Sequence, residues 1–338
     1  MTEPRASRLL AVRVTRRWME TPDIVALELQ ATDGQFLPAF EAGAHIDLHL
    51  PNGLVRPYSL CNAPRAGQPQ PHYQVAVLRE PNGRGGSACV HEALQPGCEL
   101  QVAGPQNHFP LPTPLPTPAP VLLLAGGIGI TPLLAMAEQL WEEGHPFELH
   151  SCHRSASRVP FASRLREVPW AARVHTHLDD GPAVQRMDLS ALLAAAPEGT
   201  RVQVCGPAGF IQAVRNAASA QGWAADRVGF EHFAAPTTAS QPNAAPAGSY
   251  ELIWAPTGQC VPVAAGGSAA AALIAAGLPV ALSCEQGICG GCLLKVLDGT
   301  PEHRDFVLSD AEQAAGDRFT PCCSGARSAR LVVAPMSP

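Results

Sequence analysis

From Leu10 to about residue 103, apolar side chains recur at every second position. Leu10, Val12 and Val14 alternate with Ala11, Arg13 and Thr15, and the same rhythm carries Val25, Leu27 and Leu29. It returns in Ile46, Leu48 and Leu50, and again in Tyr73, Val75 and Val77. A period of two marks strands with one buried face. Several short strands broken by Pro, Gly and Asn turns predict a small antiparallel barrel. Pro51-Asn52-Gly53 has the chemistry of a hairpin turn, and one short helix is expected over Ser87–Leu94. At Val121 the rhythm changes. An apolar run, Val121–Ala125, precedes a glycine turn and a helix over Pro132–Glu143. Strands at Phe147–Ser151, Arg173–Leu178 and Val202–Cys205 then alternate with helical patterns around Phe161–Arg166 and Ala208–Gln221. That alternation predicts an open α/β sheet, mostly parallel. Two further strands, Glu251–Ala255 and Cys260–Val263, and a helix over Ala269–Ala276 lead into a cysteine-rich loop.

Two stretches interrupt the patterns. Residues 110–120 carry a proline at almost every second position and make a stiff connector. Residues 234–249 contain little that could be buried and read as a linker. The expected organisation is therefore residues 1–109, 110–233, the linker 234–249 and 250–338. A length of 338 residues and an apolar share of 46% support two or three real cores. The net charge of −6, with no basic stripe, gives no reason to expect nucleic acid. Val121–Ala125 is too short to span a bilayer, and residues 1–17 lack a signal-peptide core. Eleven cysteines without an export signal argue for a reducing cytoplasm rather than a disulfide framework. The twelve histidines show no metal-ligand spacing and are read as surface or structural residues.

The cysteines carry the strongest chemistry. Cys284, Cys289 and Cys292 are spaced C-x4-C-x2-C, the plant-type spacing for three thiolates of a 2Fe–2S cluster. Cys322 and Cys323 lie downstream, with 29 residues between Cys292 and Cys322. That separation is similar to plant-type ferredoxins and favours Cys322 over Cys323 as the fourth ligand. Gly287, Gly290 and Gly291 let the loop turn tightly and aim N–H groups at sulfur. The other readings are a zinc site or buried free thiols, but no second closely spaced cysteine pair follows, as zinc sites usually require.

Upstream, Arg56-Pro57-Tyr58-Ser59-Leu60 ends a strand. Alternate residues share a face, so Arg56 can pair a phosphate, Tyr58 can stack on a ring system, and Ser59 can bond the ring edge. The pattern suits a flavin, and it also fits an ordinary strand end. Arg79 and then Asn82-Gly83-Arg84-Gly85-Gly86-Ser87 lead into the short helix. A glycine-rich turn with a serine at a helix start is a phosphate cradle, or simply a loop capped by Ser87. Gly126-Gly127-Ile128-Gly129-Ile130-Thr131-Pro132 joins a buried strand to a helix, a geometry that admits a pyrophosphate. Cys205-Gly206-Pro207 closes the last strand of that sheet, where ligands bind; Cys205 could also be only a small buried residue. Arg154 follows the second strand and could meet a 2′-phosphate or stack on adenine.

Taken together, these motifs, with Glu231-His232-Phe233 and His303-Arg304-Asp305, resemble the phthalate dioxygenase reductase family from about Ser7 to Val333. The resemblance implies a multidomain fold: an antiparallel β-barrel flavin domain, an α/β parallel-sheet nucleotide domain, and an α+β ferredoxin-like (β-grasp) domain. It implies FMN rather than FAD, and NADH. Arg56, Tyr58, Ser59, Gly85, Gly86 and Ser87 would hold FMN. Gly127, Thr131, Cys205 and Gly206 would lie along the nicotinamide nucleotide, with Ser59 and Cys205 beside the reacting atoms. Electrons would pass from NADH through flavin and cluster to a terminal Rieske-type non-haem iron oxygenase, with this chain a monomer. The alternative is a self-contained NAD(P)H reductase of ferric chelates, quinones or free flavin. The chain departs from the family at Gly325, where arginine is usual, and at Val333-Ala334-Pro335, where Leu-Asp-Leu is usual.

Overall fold

The computed structural model describes residues 9–65, 67–115, 118–235 and 248–336. Most of the expected linker, residues 236–247, therefore lies outside the described residues. The chain divides into two compact units, which meet in sequence between Phe233 and Ala234.

The first sheet holds β1 (Leu10–Thr21), β2 (Ile24–Ala31), β3 (His45–His49), β4 (Val55–Ser59), β5 (Tyr73–Leu78) and, after helix α1 (Gly86–Ala93), β6 (Glu99–Gln106). Their order is β4-β3-β6-β1-β2-β5, with every pairing antiparallel. A bridge between Leu60 and Val75 links the two outer strands, so the sheet curls into a barrel. The alternation seen in the sequence is the inside of this barrel: Val12, Val14, Leu27, Leu29, Ile46, Leu48 and Val75 are all fully buried. The hairpin turn lies where its chemistry put it, with Gly53 N–H donating to Leu50 O at 2.9 Å.

The second sheet holds β7 (Val121–Gly126), β8 (Phe147–His153), β9 (Val174–Leu178), β10 (Arg201–Gly206) and β11 (Val228–His232), interleaved with α2 (Ile130–Glu142), α3 (Ala162–Glu167), α4 (Leu189–Ala195) and α5 (Ala208–Ala220). All its pairings are parallel, in the order β11-β10-β7-β8-β9. The strand order reverses between β7 and β10. In an open α/β sheet that reversal opens a crevice at the carboxyl ends of the strands. The alternating residues of β7 split between two cores. Val121, Leu123 and Ala125 face α2, while Leu122 and Leu124 face α4 and α5. The core on the α2 side is continuous with the barrel interior, running from Val12 and Leu27 through Leu133 and Met136 to Leu149. Barrel and parallel sheet are therefore one packed body. Arg164 fastens them, donating to Cys61 O at 2.7 Å and to Glu138 at 3.0 Å.

The C-terminal unit has its own core. Strands β12 (Tyr250–Trp254) and β13 (Gln259–Val263), helix α6 (Ala269–Ala275), β14 (Leu294–Asp298), β15 (Pro301–Glu302), helix α7 (Asp310–Ala315), β16 (Arg318–Phe319), β17 (Gly325–Ala326) and β18 (Arg330–Pro335) follow in order. The main sheet runs β13-β12-β18-β14-β16, and β15 pairs with β17. Leu252, Trp254, Phe319, Leu331 and Val333 are buried against Ala269 and Leu273 of α6. Ser268 caps α6 through Ala271 N–H, and Ser309 with Glu312 forms a capping box on α7. Among the described residues, no helix is long and apolar enough to cross a membrane.

A close backbone contact joins the ends of β7 and β10. A Cβ on Gly129 would lie 2.2 Å from Cys205 O, and one on Gly206 would lie 2.9 Å from Gly126 Cα. Neither neighbour is a flexible side chain. Gly129→Ala is expected to cost about 1–3 kcal/mol, read as a Tm lowered by several degrees in a thermal melt.

Candidate functional site

The cysteine loop lies between α6 and β14. The thiols form a connected set: Cys284 lies within hydrogen-bonding reach of Cys289 and Cys322, and Cys322 within reach of Cys292 and of its neighbour Cys323. Cys284, Cys289 and Cys292 are buried and Cys322 is half-buried. Backbone N–H groups of Gln286 and Ile288 point at the Cys284 sulfur, and that of Gly291 at Cys289. Hydrogen bonds from the Cys289 and Cys322 thiols, helped by those backbone donors, hold Cys284 well below the usual thiol range. Four soft sulfurs wrapped by amide donors fit an iron–sulfur cluster. Gly287 explains the tightness of the wrap. Its φ is +71°, and a Cβ there would meet Cys323 Sγ at 2.5 Å and Asp305 Cα at 2.9 Å.

Cys323 packs behind the loop, with its sulfur 3.5 Å from Thr320 Oγ1 and 3.8 Å from Ser324 Oγ. Asp305 braces that region. Its buried carboxylate accepts from Leu308 N–H at 3.0 Å, Thr320 Oγ1 at 3.3 Å and Ser324 Oγ at 3.4 Å, and it sits 3.1 Å from His303 Nδ1. Phe306 N–H donates to Gly287 O at 2.9 Å, which ties the same segment to the loop. The His303-Arg304-Asp305 motif is thus the support beneath the cysteines.

In the larger unit, β4 brings Arg56, Tyr58 and Ser59 to one end of the barrel. Arg56 lies along the start of α1, where a Cβ on Gly86 would meet its Cγ at 2.7 Å. No side chain caps α1, whose N-cap residue is Gly85. An uncapped helix N-terminus beside a guanidinium is an anion cradle. Ser87 Oγ accepts from Glu80 N–H at 3.0 Å and fixes the loop that forms the cradle. Burial pushes the Tyr58 phenol up, so it stays protonated and presents a neutral ring. The Arg79 guanidinium pairs with Glu92 on α1 at 2.5 Å.

The crevice of the parallel sheet opens between β7 and β10. Gly126, Gly129 and Gly206 serve the close contact there, and Pro207 lies against Gly126. Gly127 is different. It has φ +58° and faces open space, the position at which a ligand backbone can approach. Thr131 is buried, and its hydroxyl donates to Ile128 O at 3.1 Å, holding the turn shut. Arg154 is exposed just beyond β8, at the carboxyl edge of the sheet. Cys205 is fully buried, and burial with the Glu231 carboxyl pushes its thiol far up.

Glu231 is the residue that pattern reasoning left without a role. It stands opposite Cys205 in the β10–β11 register. Its side chain hydrogen-bonds to Ser59 of the barrel, while Oε2 is shielded from solvent with no partner. Burial raises its pKa from 4.5 to about 8. The Ser59 hydroxyl, the Glu231 carboxyl and the Cys205 thiol therefore meet where barrel and sheet join. The only trace of Glu231 in the sequence is its place in the Glu231-His232-Phe233 motif.

Comparison with known proteins agrees with this layout. The 2Fe-2S iron-sulfur cluster binding domain family matches residues 252–327. A vanillate O-demethylase oxidoreductase from a Pseudomonas species is 47% identical over 96% of this chain and 99% of that protein. The solved structure of phthalate dioxygenase reductase, described as modular for electron transfer from pyridine nucleotides to [2Fe-2S], is 34% identical. It has a TM-score of 0.69 and covers 98% of this chain and all of its own. An intact type IV self-sufficient cytochrome P450 monooxygenase matches with TM-score 0.84 and 36% identity, over 96% of this chain. This chain spans 41% of that longer protein.

Two outcomes follow from the geometry. Cys322→Ser is expected to abolish the visible absorption of the iron–sulfur cluster, and Cys323→Ala to retain it. Separately, a raised carboxyl pKa means that the folded state holds its proton more tightly than the unfolded state. Wild-type stability should therefore fall relative to Glu231→Gln as pH rises from 4.5 to about 8, with a constant difference on either side. Thermal melts of the flavin-free proteins across that range would check it.

Proposed function

The chain belongs to the phthalate dioxygenase reductase family, which includes the vanillate O-demethylase oxidoreductases, and we propose that it is the NADH-dependent reductase of a two-component oxygenase or demethylase system. The observation that carries this reading is the convergence of Cys284, Cys289, Cys292 and Cys322 on a chain that also bears a flavin-type cradle and a nucleotide crevice. When bound, NADH supplies a hydride, FMN takes it and releases electrons singly, and the 2Fe–2S cluster carries one at a time.

The residues divide the remaining work. Arg56 and the N–H groups at the start of α1 would hold the FMN phosphate. Tyr58 would lie against the ring system, and Ser59 would bond its reactive edge. Gly127 would leave room for the pyrophosphate, and Cys205 with Gly206 and Pro207 would line the nicotinamide end. The close contact at Gly129 and Gly206 would fix the crevice, so that nicotinamide and flavin meet in one orientation. The Glu231 carboxyl, protonated at neutral pH, would keep the Ser59 hydroxyl aimed. The four cysteines would hold the cluster, with Asp305 keeping their loop rigid.

The partner would be a terminal Rieske-type non-haem iron oxygenase, and the reductase would act as a cytoplasmic monomer. A self-contained reductase of small acceptors is not favoured. Such acceptors could take electrons from flavin directly, which would leave a complete cluster domain without a task.

Removing residues 250–338 separates the two readings. The truncated protein is expected to keep NADH-driven reduction of ferricyanide and to lose electron delivery to the partner oxygenase. Undiminished support of the oxygenase by the truncated chain would refute the relay. In the full-length protein, anaerobic NADH should bleach the flavin and then produce a rhombic low-temperature EPR signal of about one spin per chain.

A further inference from the structure

Strands β8 and β9 bring together side chains that no spacing in the sequence connects. In the parallel register His150 stands opposite His175, and Cys152 opposite His177. With the period of two, Glu148, His150, His175 and His177 share the face toward α4. The rings stack, His150 on His175 with centroids 4.6 Å apart and His150 on His177 with centroids 5.3 Å apart. The Glu148 carboxylate closes the group, with Oε2 3.2 Å from His150 Nε2 and 3.8 Å from His175 Nε2.

We propose that Glu148, His150 and His175 form a binding site for a divalent transition-metal ion, Zn²⁺ by ligand type, which nothing in the electron relay requires. Their three donor atoms all lie within 4.8 Å of one another. A tetrahedral zinc with bonds of about 2.0–2.1 Å needs its ligands about 3.3 Å apart. Two of the three edges thus stand close to coordination distance, and His175 would turn out of its stack on the buried His150 to aim its nitrogen at the same ion, which its exposure allows. Two imidazoles and a carboxylate leave a fourth position for water.

The surroundings support coordination over a simple ion pair. Metal-bound histidine ordinarily has its second ring nitrogen held by a hydrogen bond, which fixes the ring. His150 already has that arrangement. Its Nδ1 is 3.0 Å from His177 Nε2, which turns Nε2 toward Glu148. The group offers two imidazoles and one carboxylate, a donor set that suits a borderline cation. His175 and Glu148 are 42% and 48% exposed, so an ion can enter from solvent.

The test uses the untagged full-length holoprotein with its cluster intact, which the visible spectrum monitors throughout. After equilibrium dialysis against micromolar Zn²⁺, one zinc per chain beyond the cluster iron is expected. Affinity should fall by at least about tenfold in His175→Ala and in Glu148→Gln. Both positions are partly exposed, so the variants should fold, and thermal melts would verify it. With Co²⁺ as a spectroscopic probe, tetrahedral d–d bands should appear without thiolate-to-metal charge transfer. Absence of zinc, equal retention by both variants, or a charge-transfer band from cysteine sulfur would each overturn the proposal.

Discussion

Backbone touches backbone where β7 and β10 end, and the ligand-facing half of the larger unit depends on that contact. Gly129 approaches Cys205 O, and Gly206 approaches Gly126, with no room for a Cβ at either place. The contact sets the width of the crevice at the point where the sheet order reverses. It also sets where Cys205 stands, and through the β10–β11 register where Glu231 stands. Glu231 then reaches the Ser59 hydroxyl on the barrel. A chain of fixed positions thus runs from one glycine pair to the place where nicotinamide and flavin would meet. The polar groups along it are costly to bury, and the raised pKa of Glu231 records that cost.

The C-terminal unit solves a different problem, the gathering of four sulfurs into one small volume. Mutual repulsion of thiolates works against it. Amide donors from the loop offset part of that repulsion, and the positive φ at Gly287 lets the loop supply them. The buried Asp305 carboxylate then ties the loop to the segment that carries Thr320 and Ser324, next to Cys322.

Much of this was legible in the sequence. Alternation located the barrel strands because each has one face in a core. The cysteine loop was legible because ligand spacing within a loop is local. Strand β11 was missed: Val-Gly-Phe-Glu-His is short, holds a glycine and sits at the edge of a parallel sheet, so neither alternation nor an apolar run marks it. Helix α4 was missed because it has only seven residues. Arg79 was placed at the phosphate cradle on its charge and proximity in sequence, and its guanidinium pairs with Glu92 on α1, the helix that opens that cradle. Histidines read as surface or structural gather on β8 and β9, since register across strands brings together residues that linear spacing keeps apart.

The barrel and the parallel sheet share one apolar core, whereas the C-terminal unit closes a core of its own. That difference sets which parts of the chain natural recombination can trade. A crossover between residues 106 and 121 would join halves of a single interior shaped by different ancestors, leaving voids and clashes along the seam. A crossover near Phe233 would move a finished interior whole. The cluster-bearing unit is therefore the exchangeable cassette of this chain, and the flavin and nucleotide sheets must be inherited together.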